Sequence, residues 1–567
     1  MSCALPGDAA SCSISGNAMN EPAPSLFQIR LRAPHTASDA QWAETFRALA
    51  GNRGVCDEVW FSTGIAFPPM AWHREHAARL ARYAEQCRAA GIAPSLQFQA
   101  TLGHGDSFGG TPEEMAGRIW RGFTGPTGVE CQACNCPRDP AFLAYVREAA
   151  RLYAAAIRPA WLWIDDDLRV HNHRPAVSKS EIGCWCETCR AAFLGRLGTL
   201  GALENLGDLG TLEAFRATIE SSPALRSAWE RFSFSSIADV AAAIAGETHA
   251  VSPETRFGYQ HGSWPNDAQL AVFRALREAG GGRPVGSRPG GGAYYDLDPN
   301  IPVKKALAAA RQRRVLGDPE WIDTWLPEIE TYPRAFASRT AHGILLEAVA
   351  SLAYGMNGLS ALIMDTRSET DAWYSENLLS PIAAERELLE RYRDANLGTV
   401  PAGLDVPADL PHDGVYAYAL AGVPVVPGTG RTFGVLTAAD AGLKICSCSS
   451  RALAQLRAEA DARSGGRLPV VIEAPSVGLV VPRVAPDGAL RTVLLLNARI
   501  EAQKPLPLRL RNLAASGEAK NQAVWRAIGE KPIPLPLRRD GADALVEIPA
   551  LGAWSAGWLE LPAASIS

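Results

Sequence analysis

Three consecutive acids are the first residues in this chain whose types and spacing could do chemistry. Asp165, Asp166 and Asp167 follow a short apolar run, which predicts a buried strand over 161–167 that ends at solvent. Alternation along a strand puts the first and third acids on one face and the second on the other. A carboxylic acid in a partly dry pocket has a raised pKa and can act as a general acid. We predict this role for Asp167, with Asp166 as the alternate; helix caps, loop anchors and a cation site are the other interpretations.

A second carboxylate is expected at the end of another strand. Glu328 and Glu330 follow the strand predicted over 321–326, and Glu328 is the nearer of the two. Glycoside hydrolysis requires two carboxylates: one protonates the leaving oxygen, and the other attacks the anomeric carbon or activates water. The sequence therefore predicts Glu328 as the second catalytic residue, with Glu330 as the alternate. The opposing interpretation is that both glutamates are solvated loop charges.

Six of the twelve cysteines form two tight groups whose spacing suits a metal. Cys184, Cys186 and Cys189 predict three thiolates of a tetrahedral zinc site. Because the loops after strands three and four of a barrel are neighbours, the fourth ligand is predicted from the other group, as Cys136. Four thiolates leave no position for water, so this zinc would be structural. Unmetallated thiols are the alternative, and two cysteines remain that could bind instead or form a second site: Cys131 and Cys134.

Polar and aromatic side chains near the predicted strand ends are candidates for binding a sugar, because ring faces stack on sugars and polar groups bind hydroxyls. The run 290–292 is no phosphate loop, since it lacks the lysine and the following helix. Local hydrogen bonding is the alternative role for each candidate. The candidates are Asp165, Asp166, His171, His173, Tyr259, His261, Arg288, Tyr294, Tyr295, Trp325 and Trp373.

The elements that must position these residues alternate between strand-like and helix-like patterns. Helical periodicity follows each strand, and a last helix is predicted over 381–396. Eight strand-then-helix units predict an α/β fold, a (β/α)8 TIM barrel with its active site at the C-terminal ends of the strands. The eight strands are predicted over 26–31, 57–62, 93–100, 161–167, 256–261, 284–287, 321–326 and 359–364.

The rest of the chain divides by pattern. Residues 1–24 are small and polar and predict a flexible tail, and 25–398 form the catalytic barrel with its cysteine-rich loops. Short apolar strands and one helix predict a small α/β domain over 399–476. Strand patterns without helices predict a C-terminal β-sandwich over 477–567.

Composition excludes several classes of function. The chain of 567 residues is 47% hydrophobic and 20% charged, with a formal net charge of -5, and it has no basic run that would bind nucleic acid. No apolar run approaches the roughly 20 residues that cross a bilayer. Cysteine spacing that suits a metal better than disulfides predicts a reduced, cytoplasmic setting.

Several of these motifs together resemble glycoside hydrolase family 42, the retaining β-galactosidases of clan A. The resemblance rests on Cys136-Pro-x-Asp-Pro, on the later cysteine group, and on Ala350-x-x-Ala-Tyr-Gly-Met-Asn-Gly358 before strand eight. It implies a four-cysteine zinc site, the three-part layout, and a homo-oligomer, a trimer or a dimer. Carried over by position, it makes Asp167 the acid/base and Glu328 the nucleophile. The family ends strand four in Asn-Glu where this chain has Asp-Asp, which leaves the sugar specificity open.

We therefore predict a glycoside hydrolase that cleaves a small oligosaccharide or glycoside with retention. It would bind a carbohydrate substrate and a structural zinc, with no organic cofactor, nucleic acid or membrane partner. Two other readings remain: a non-hydrolytic carbohydrate-binding protein on a degenerate barrel, and a zinc-dependent hydrolase that uses Asp165 or His171.

Overall fold

A computed structural model describes most of the chain. The described residues are 25–103, 113–169, 183–199, 210–262, 266–331, 338–364, 372–410, 412–440, 449–474, 476–513 and 522–561. Across these ranges, each helix is too short or too polar to span a lipid bilayer.

In the described residues, eight parallel strands close into a barrel in their order along the chain, and the eighth pairs with the first. This confirms the predicted (β/α)8 barrel. The strands are Phe27–Arg30, Glu58–Ser62, Ala93–Phe98, Trp161–Ile164, Arg256–His261, Val285–Pro289, a two-part seventh strand of Ile322–Trp325 and Glu328–Glu330, and Leu359–Leu362.

The seventh strand is split because Pro327 has no amide hydrogen and cannot donate to a ladder. Before the proline, the Leu326 amide donates to Ser287 of strand six at 2.9 Å; at the proline, its carbonyl accepts from the Ser360 amide of strand eight at 3.3 Å. The chain thus changes its partner strand at this residue. Glu328 and Glu330 lie within the second part of the strand and are only 5% and 4% exposed, so the interpretation as solvated loop charges is wrong.

Helices cover the outside of the barrel. As predicted, helices follow the strands; the last of them starts earlier than residue 381 and contains a π-helical turn. The helices are Asp39–Gly51, Met70–Ala89, Pro140–Ile157, Glu187–Thr199, Leu212–Ser221, Pro223–Val251, Asn266–Ala279, Ile301–Val315, Ala341–Ala353, Ala372–Tyr374, the π-helical turn Ser375–Leu379, Ser380–Ala384 and Arg386–Ala395.

Stacked tryptophans fill the interior of the barrel. The rings of Trp60 and Trp163 stack with centroids 4.5 Å apart, and those of Trp161 and Trp163 stack at 5.1 Å. Strands five and six carry Gly258 and Gly286 opposite this layer, where an added Cβ would lie 2.2 Å and 2.4 Å from atoms of the Trp163 ring. The two glycines therefore make room for one indole in the barrel core.

Two further sheets follow the barrel. One joins parallel strands after residue 400, which carry the helices His412–Leu420 and Ser450–Arg463, to antiparallel strands near the C-terminus. A second, antiparallel sheet packs against it around a shared apolar core. The first sheet contains Val425–Val426, Val400–Asp405, Arg431–Val435, Gly478–Val484, Leu490–Asn497, Ser555–Glu560, Gln522–Ala527 and Ile533–Pro536; the second contains Val470–Ile472, Leu506–Leu510, Asp543–Ile548 and Arg538–Asp540.

The packing around Trp163 can be tested by adding one carbon atom. We expect Gly258→Ala to lower the free energy of unfolding by about 1–3 kcal/mol, because the new methyl group overpacks the barrel interior. Gly246→Ala is the control, since a Cβ at this position of helix Pro223–Val251 meets no atom within 4 Å. The control should stabilise the helix by about 0.5–1 kcal/mol. Urea unfolding measures both, and equal effects would contradict the tight packing.

Candidate active site

Glu328 lies at the C-terminal end of the barrel, where its carboxylate is surrounded by donors. Oε1 accepts a hydrogen bond from Arg288, and Arg30 Nη1 lies 3.7 Å from the same oxygen. Oε2 accepts from the Gly291 amide and from the Tyr294 hydroxyl, each at 2.8 Å. Burial alone would raise the pKa of Glu328, but the charges of Arg288 and Arg30 outweigh it and lower the pKa below its ordinary value. Glu328 is therefore a buried carboxylate that stays ionised.

Glu330 has a different environment on the same strand. Its carboxylate pairs with Arg30 Nη1 at 2.6 Å. Burial raises the pKa of Glu330; Arg30 opposes the shift, and the negative charge of Glu328 adds to it. Glu330 thus balances Arg30, whereas Glu328 has several independent donors.

Asp166 is the acid at the end of strand four that remains accessible. It is partly exposed, whereas Asp165 and Asp167 are 4% and 0% exposed. Its negative charge raises the pKa of Glu328 and also the pKa values of Tyr259 and His261. Asp166 is therefore the acid of strand four that solvent can reach.

Asp167, the acid first predicted as catalytic, anchors a neighbouring loop. Its carboxylate accepts hydrogen bonds from the amides of Thr101 and Gly103 at 2.9 and 2.8 Å, and from the Thr101 hydroxyl. Donors of this kind stabilise the ionised form, which is the opposite of what a general acid needs. The geometry therefore favours Asp166 over Asp167 as the acid.

Strand four is shorter than predicted. It ends at Ile164, and the Leu168 amide donates to the Asp165 carbonyl at 3.3 Å, which closes a turn that contains the other two acids. Asp165, the first residue after the strand, continues the pairing with strand three, because its amide donates to the Phe98 carbonyl at 3.1 Å. Its carboxylate accepts a hydrogen bond from Gln97 of the same strand at 2.7 Å.

Two predicted sugar-binding residues on strand five point away from the mouth. Tyr259 and His261 are buried, and each ring lies 5.4 Å from that of Phe273, on the helix outside the barrel. The Tyr259 hydroxyl donates to the Leu168 carbonyl at 2.6 Å, and His261 Nε2 lies 2.8 Å from the Ser287 hydroxyl. Burial lowers the pKa of His261 to about 3, so the ring is neutral. These predictions chose the wrong face of the strand.

The remaining candidates fall in three places. Trp325 is buried under the guanidinium of Arg313, 5.1 Å away, and its indole donates to a backbone carbonyl at 2.9 Å, so it is no sugar platform. Trp373 and Tyr295 are 36% and 40% exposed. His171 and His173 lie outside the described residues.

Sequence reasoning missed Arg30, which contacts both glutamates. It is the last residue of the buried strand Phe27–Arg30. A charge that ends an apolar run was the same signal that identified the acids of strand four, and it could have identified this arginine.

The four predicted metal ligands come together. The Sγ atoms of Cys136, Cys184, Cys186 and Cys189 all lie within 4.8 Å of one another, and that of Cys136 is 3.5 Å from those of Cys186 and Cys189. Thiolates bound at about 2.3 Å around one tetrahedral zinc lie about 3.8 Å apart. This set of donors therefore fits a four-thiolate metal site.

A hairpin of Gly122–Thr124 and Glu130–Asn135 joins the two cysteine groups. The Trp185 amide donates to the Thr124 carbonyl at 2.8 Å, which fixes the later group against the hairpin. All four cysteines are buried in an aromatic cluster. A closed, apolar site gives substrate no open coordination position, which favours a structural role over catalysis by the metal. Cys134 belongs to the same cluster, but its thiol donates to the Gly103 carbonyl at 3.4 Å.

Comparison with known proteins establishes the fold. No protein-family model matches the chain, and no curated protein matches its sequence. Three similar solved structures are α-L-fucosidase isoenzyme 2 from Paenibacillus thiaminolyticus (TM-score 0.58, 11% identity, 95% of this chain and 100% of that chain), β-galactosidase from Bacillus circulans sp. alkalophilus (0.56, 12%, 95% and 99%), and β-galactosidase from the psychrophilic Marinomonas ef1 (0.52, 10%, 95% and 100%). The shared fold extends over the barrel and the C-terminal sheets, while membership of family 42 stays a prediction.

The cysteine site predicts a metal that can be removed selectively. We expect about one zinc ion per chain and a loss of several kcal/mol of stability when a chelator extracts it, because a closed thiolate site holds two loops together. Cys136→Ser should lose the metal, whereas Cys134→Ser, a buried cysteine outside the set, should keep it. Elemental analysis and thermal unfolding measure both effects. Full metal content in Cys136→Ser would contradict this ligand set.

Proposed function

We propose that this chain is a retaining glycoside hydrolase that acts on a small oligosaccharide or glycoside. The observation that carries the proposal is the pair at the barrel mouth: a buried Glu328 whose pKa is lowered by two arginines, and a partly exposed Asp166 whose charge acts on it. Active sites of (β/α)8 barrels lie at this end of the strands.

The two carboxyl groups suit different roles. Glu328 is ionised and would attack the anomeric carbon, while Asp166 donates its proton to the leaving oxygen. A covalent glycosyl-enzyme results. Asp166 would then take a proton from water, and the resulting hydroxide displaces Glu328 from the sugar. The partial exposure of Asp166 allows it to exchange protons with solvent between turnovers.

Retention is the proposed outcome because the resembling family 42 consists of retaining enzymes. Retaining enzymes hold these groups about 5–5.5 Å apart, whereas inverting enzymes separate them by about 6.5–9.5 Å to admit a water molecule. The distance between the carboxyl groups of Asp166 and Glu328 in a crystal structure would distinguish the two mechanisms. The names of the structural neighbours suggest α-L-fucosides and β-D-galactosides as the first substrates to try.

The role of Glu328 as the nucleophile can be tested by substitution. On a panel of nitrophenyl glycosides, we expect Glu328→Gln to lose activity by at least about 10³-fold, since an amide cannot attack the anomeric carbon. Glu330→Gln, a matched change on the same strand face, should retain more activity because Glu330 only balances Arg30. NMR of the first-formed sugar should show retained configuration. No turnover by folded wild-type protein on any glycoside would contradict the proposal and favour a carbohydrate-binding protein.

The second prediction separates Asp166 from Asp167. A missing general acid matters most when the leaving group is poor, because a good leaving group departs without protonation. Asp166→Ala should therefore lose about 10²-fold or more on alkyl glycosides and much less on dinitrophenyl glycosides. Asp167→Asn should lower both rates alike and reduce thermal stability through its loop contacts. The reverse pattern would assign the acid to Asp167.

A further inference from the structure

Three buried charges and one half-buried charge, Asp296, form a continuous chain beside the active site. Lys305 Nζ lies 2.6 Å from Glu347 Oε1, and Arg339 Nη2 lies 2.9 Å from Glu347 Oε2. Arg339 Nε in turn lies 3.3 Å from Asp296 Oδ1. We call these four residues the buried charge chain.

Folding the buried charge chain out of water costs desolvation free energy. Lys305, Glu347 and Arg339 are 5%, 0% and 3% exposed. Buried ion pairs often add no net stability over apolar residues of similar volume, because desolvation cancels the Coulombic gain. The charges of the two cations and the two anions cancel, which lowers the free-energy cost of burying them. Stability alone does not explain why the buried charge chain is present.

One end of the buried charge chain contacts the two loop groups that bind Glu328. Lys305 Nζ lies 5.4 Å from the ring centroid of Tyr294, over its face. A Cβ on Gly291 would lie 2.6 Å from Lys305 Cε, so the lysine stem packs against this glycine. The Gly291 amide and the Tyr294 hydroxyl are the two donors to Glu328 Oε2.

The other end fixes the same loop further along. The Asp296 amide donates to the Ser338 carbonyl at 2.7 Å, and its carboxylate accepts from the amide and the hydroxyl of Thr340 at 2.7 and 2.9 Å. The loop between strand six and helix Ile301–Val315 is therefore held on both sides of Tyr294.

We propose that Lys305 is a positioning residue which, fixed by Glu347, holds Gly291 and Tyr294 in place as hydrogen-bond donors to Glu328. The contacts themselves do not depend on the proposed function; only their value for catalysis rests on it. Lys305 acts through the two donors and has no role in bond making or breaking.

The consequence is a pH effect with a definite sign. The Gly291 amide lowers the pKa of Glu328, as do Arg288 and Arg30, while burial and Asp166 raise it. Glu330 and the Tyr294 hydroxyl are the other titratable groups that face it. Burial raises the pKa of Tyr294, so its hydroxyl remains a donor at neutral pH. Loss of Lys305 weakens the two loop donors, and Glu328 should then gain its proton at a higher pH.

The test follows Glu328 directly by NMR of protein labelled with carboxyl-13C glutamate, with its signal assigned by its absence in Glu328→Gln. We expect Lys305→Met to raise the midpoint of the Glu328 titration by about 0.5–1 pH unit, the effect of weakening hydrogen bonds to a carboxylate. Tyr294→Phe should act in the same direction. In the double variant, the Glu328 titration should shift by less than the sum of the two single shifts, because both changes act on the hydrogen bond from the Tyr294 hydroxyl to Glu328.

Lys304→Met is the matched control. Lys304 is the neighbouring residue on the same helix. Its Nζ lies 2.5 Å from Asp298 Oδ2, outside the buried charge chain. Its removal should leave the titration of Glu328 unchanged. If Lys305→Met fails to fold, Lys305→Met with Glu347→Gln removes both charges of the pair and leaves Arg339 with Asp296.

The outcomes separate this inference from the proposed function. An unchanged Glu328 titration in the lysine variant, with the Tyr294 hydroxyl still on Glu328 in a crystal structure, would overturn the positioning role even in an active enzyme. If the variant unfolds in acid before Glu328 titrates, the crystal structure alone tests the positioning role: a Tyr294 hydroxyl displaced from Glu328 supports it, and an unmoved one contradicts it. A shifted titration in a protein that hydrolyses no glycoside would support Lys305 and contradict the proposed function. In an active enzyme, the acidic limb of kcat/KM should move up by the same amount.

Discussion

The charge of Glu328 is the constraint on which the barrel mouth depends. A carboxylate removed from water costs several kcal/mol unless cations and hydrogen-bond donors replace its hydration. Here those groups come from distant parts of the chain: Arg30 from strand one, Arg288 from strand six, and two donors from the loop that follows strand six. None of them neighbours Glu328 in sequence. The barrel has to close before the carboxylate is satisfied, so the site and the fold form together.

Two structural features place this charge where it can act. Pro327 interrupts the seventh strand and transfers the chain from strand six to strand eight, which sets Glu328 on the second segment. Beneath the charged layer, the stacked tryptophans and Leu326 form an apolar cluster. Apolar packing on one side lowers the local dielectric and strengthens each charge interaction above it. The two glycines that admit Trp163 thus contribute to the electrostatics of the mouth.

The sequence identified what is encoded locally. Apolar runs located the strands, the acids marked strand ends, and barrel adjacency led to Cys136 as the partner of the later cysteines, whose sulfurs the structure brings together. The predictions that differ from the structure depend on details beyond a local pattern. The run before Asp165 does not show that the strand stops at Ile164, and alternation on strand five does not show which parity faces the axis. The partners of Arg30 and Lys305 are non-local and become visible only when the barrel is closed.

The early end of strand four bears on how an aspartate there could serve the role that we propose for Asp166. An aspartate is shorter by one methylene, so a catalytic carboxyl at this position needs its backbone nearer the sugar than a glutamate would. The turn closed between Asp165 and Leu168 carries Asp166, while Asp167 ties the same turn to Thr101 and Gly103. A short acid on an anchored turn can do the work of a longer acid on a strand. Asp165 binds Gln97 and Asp167 fixes the turn, so of the three aspartates Asp166 is the one that we propose as the acid.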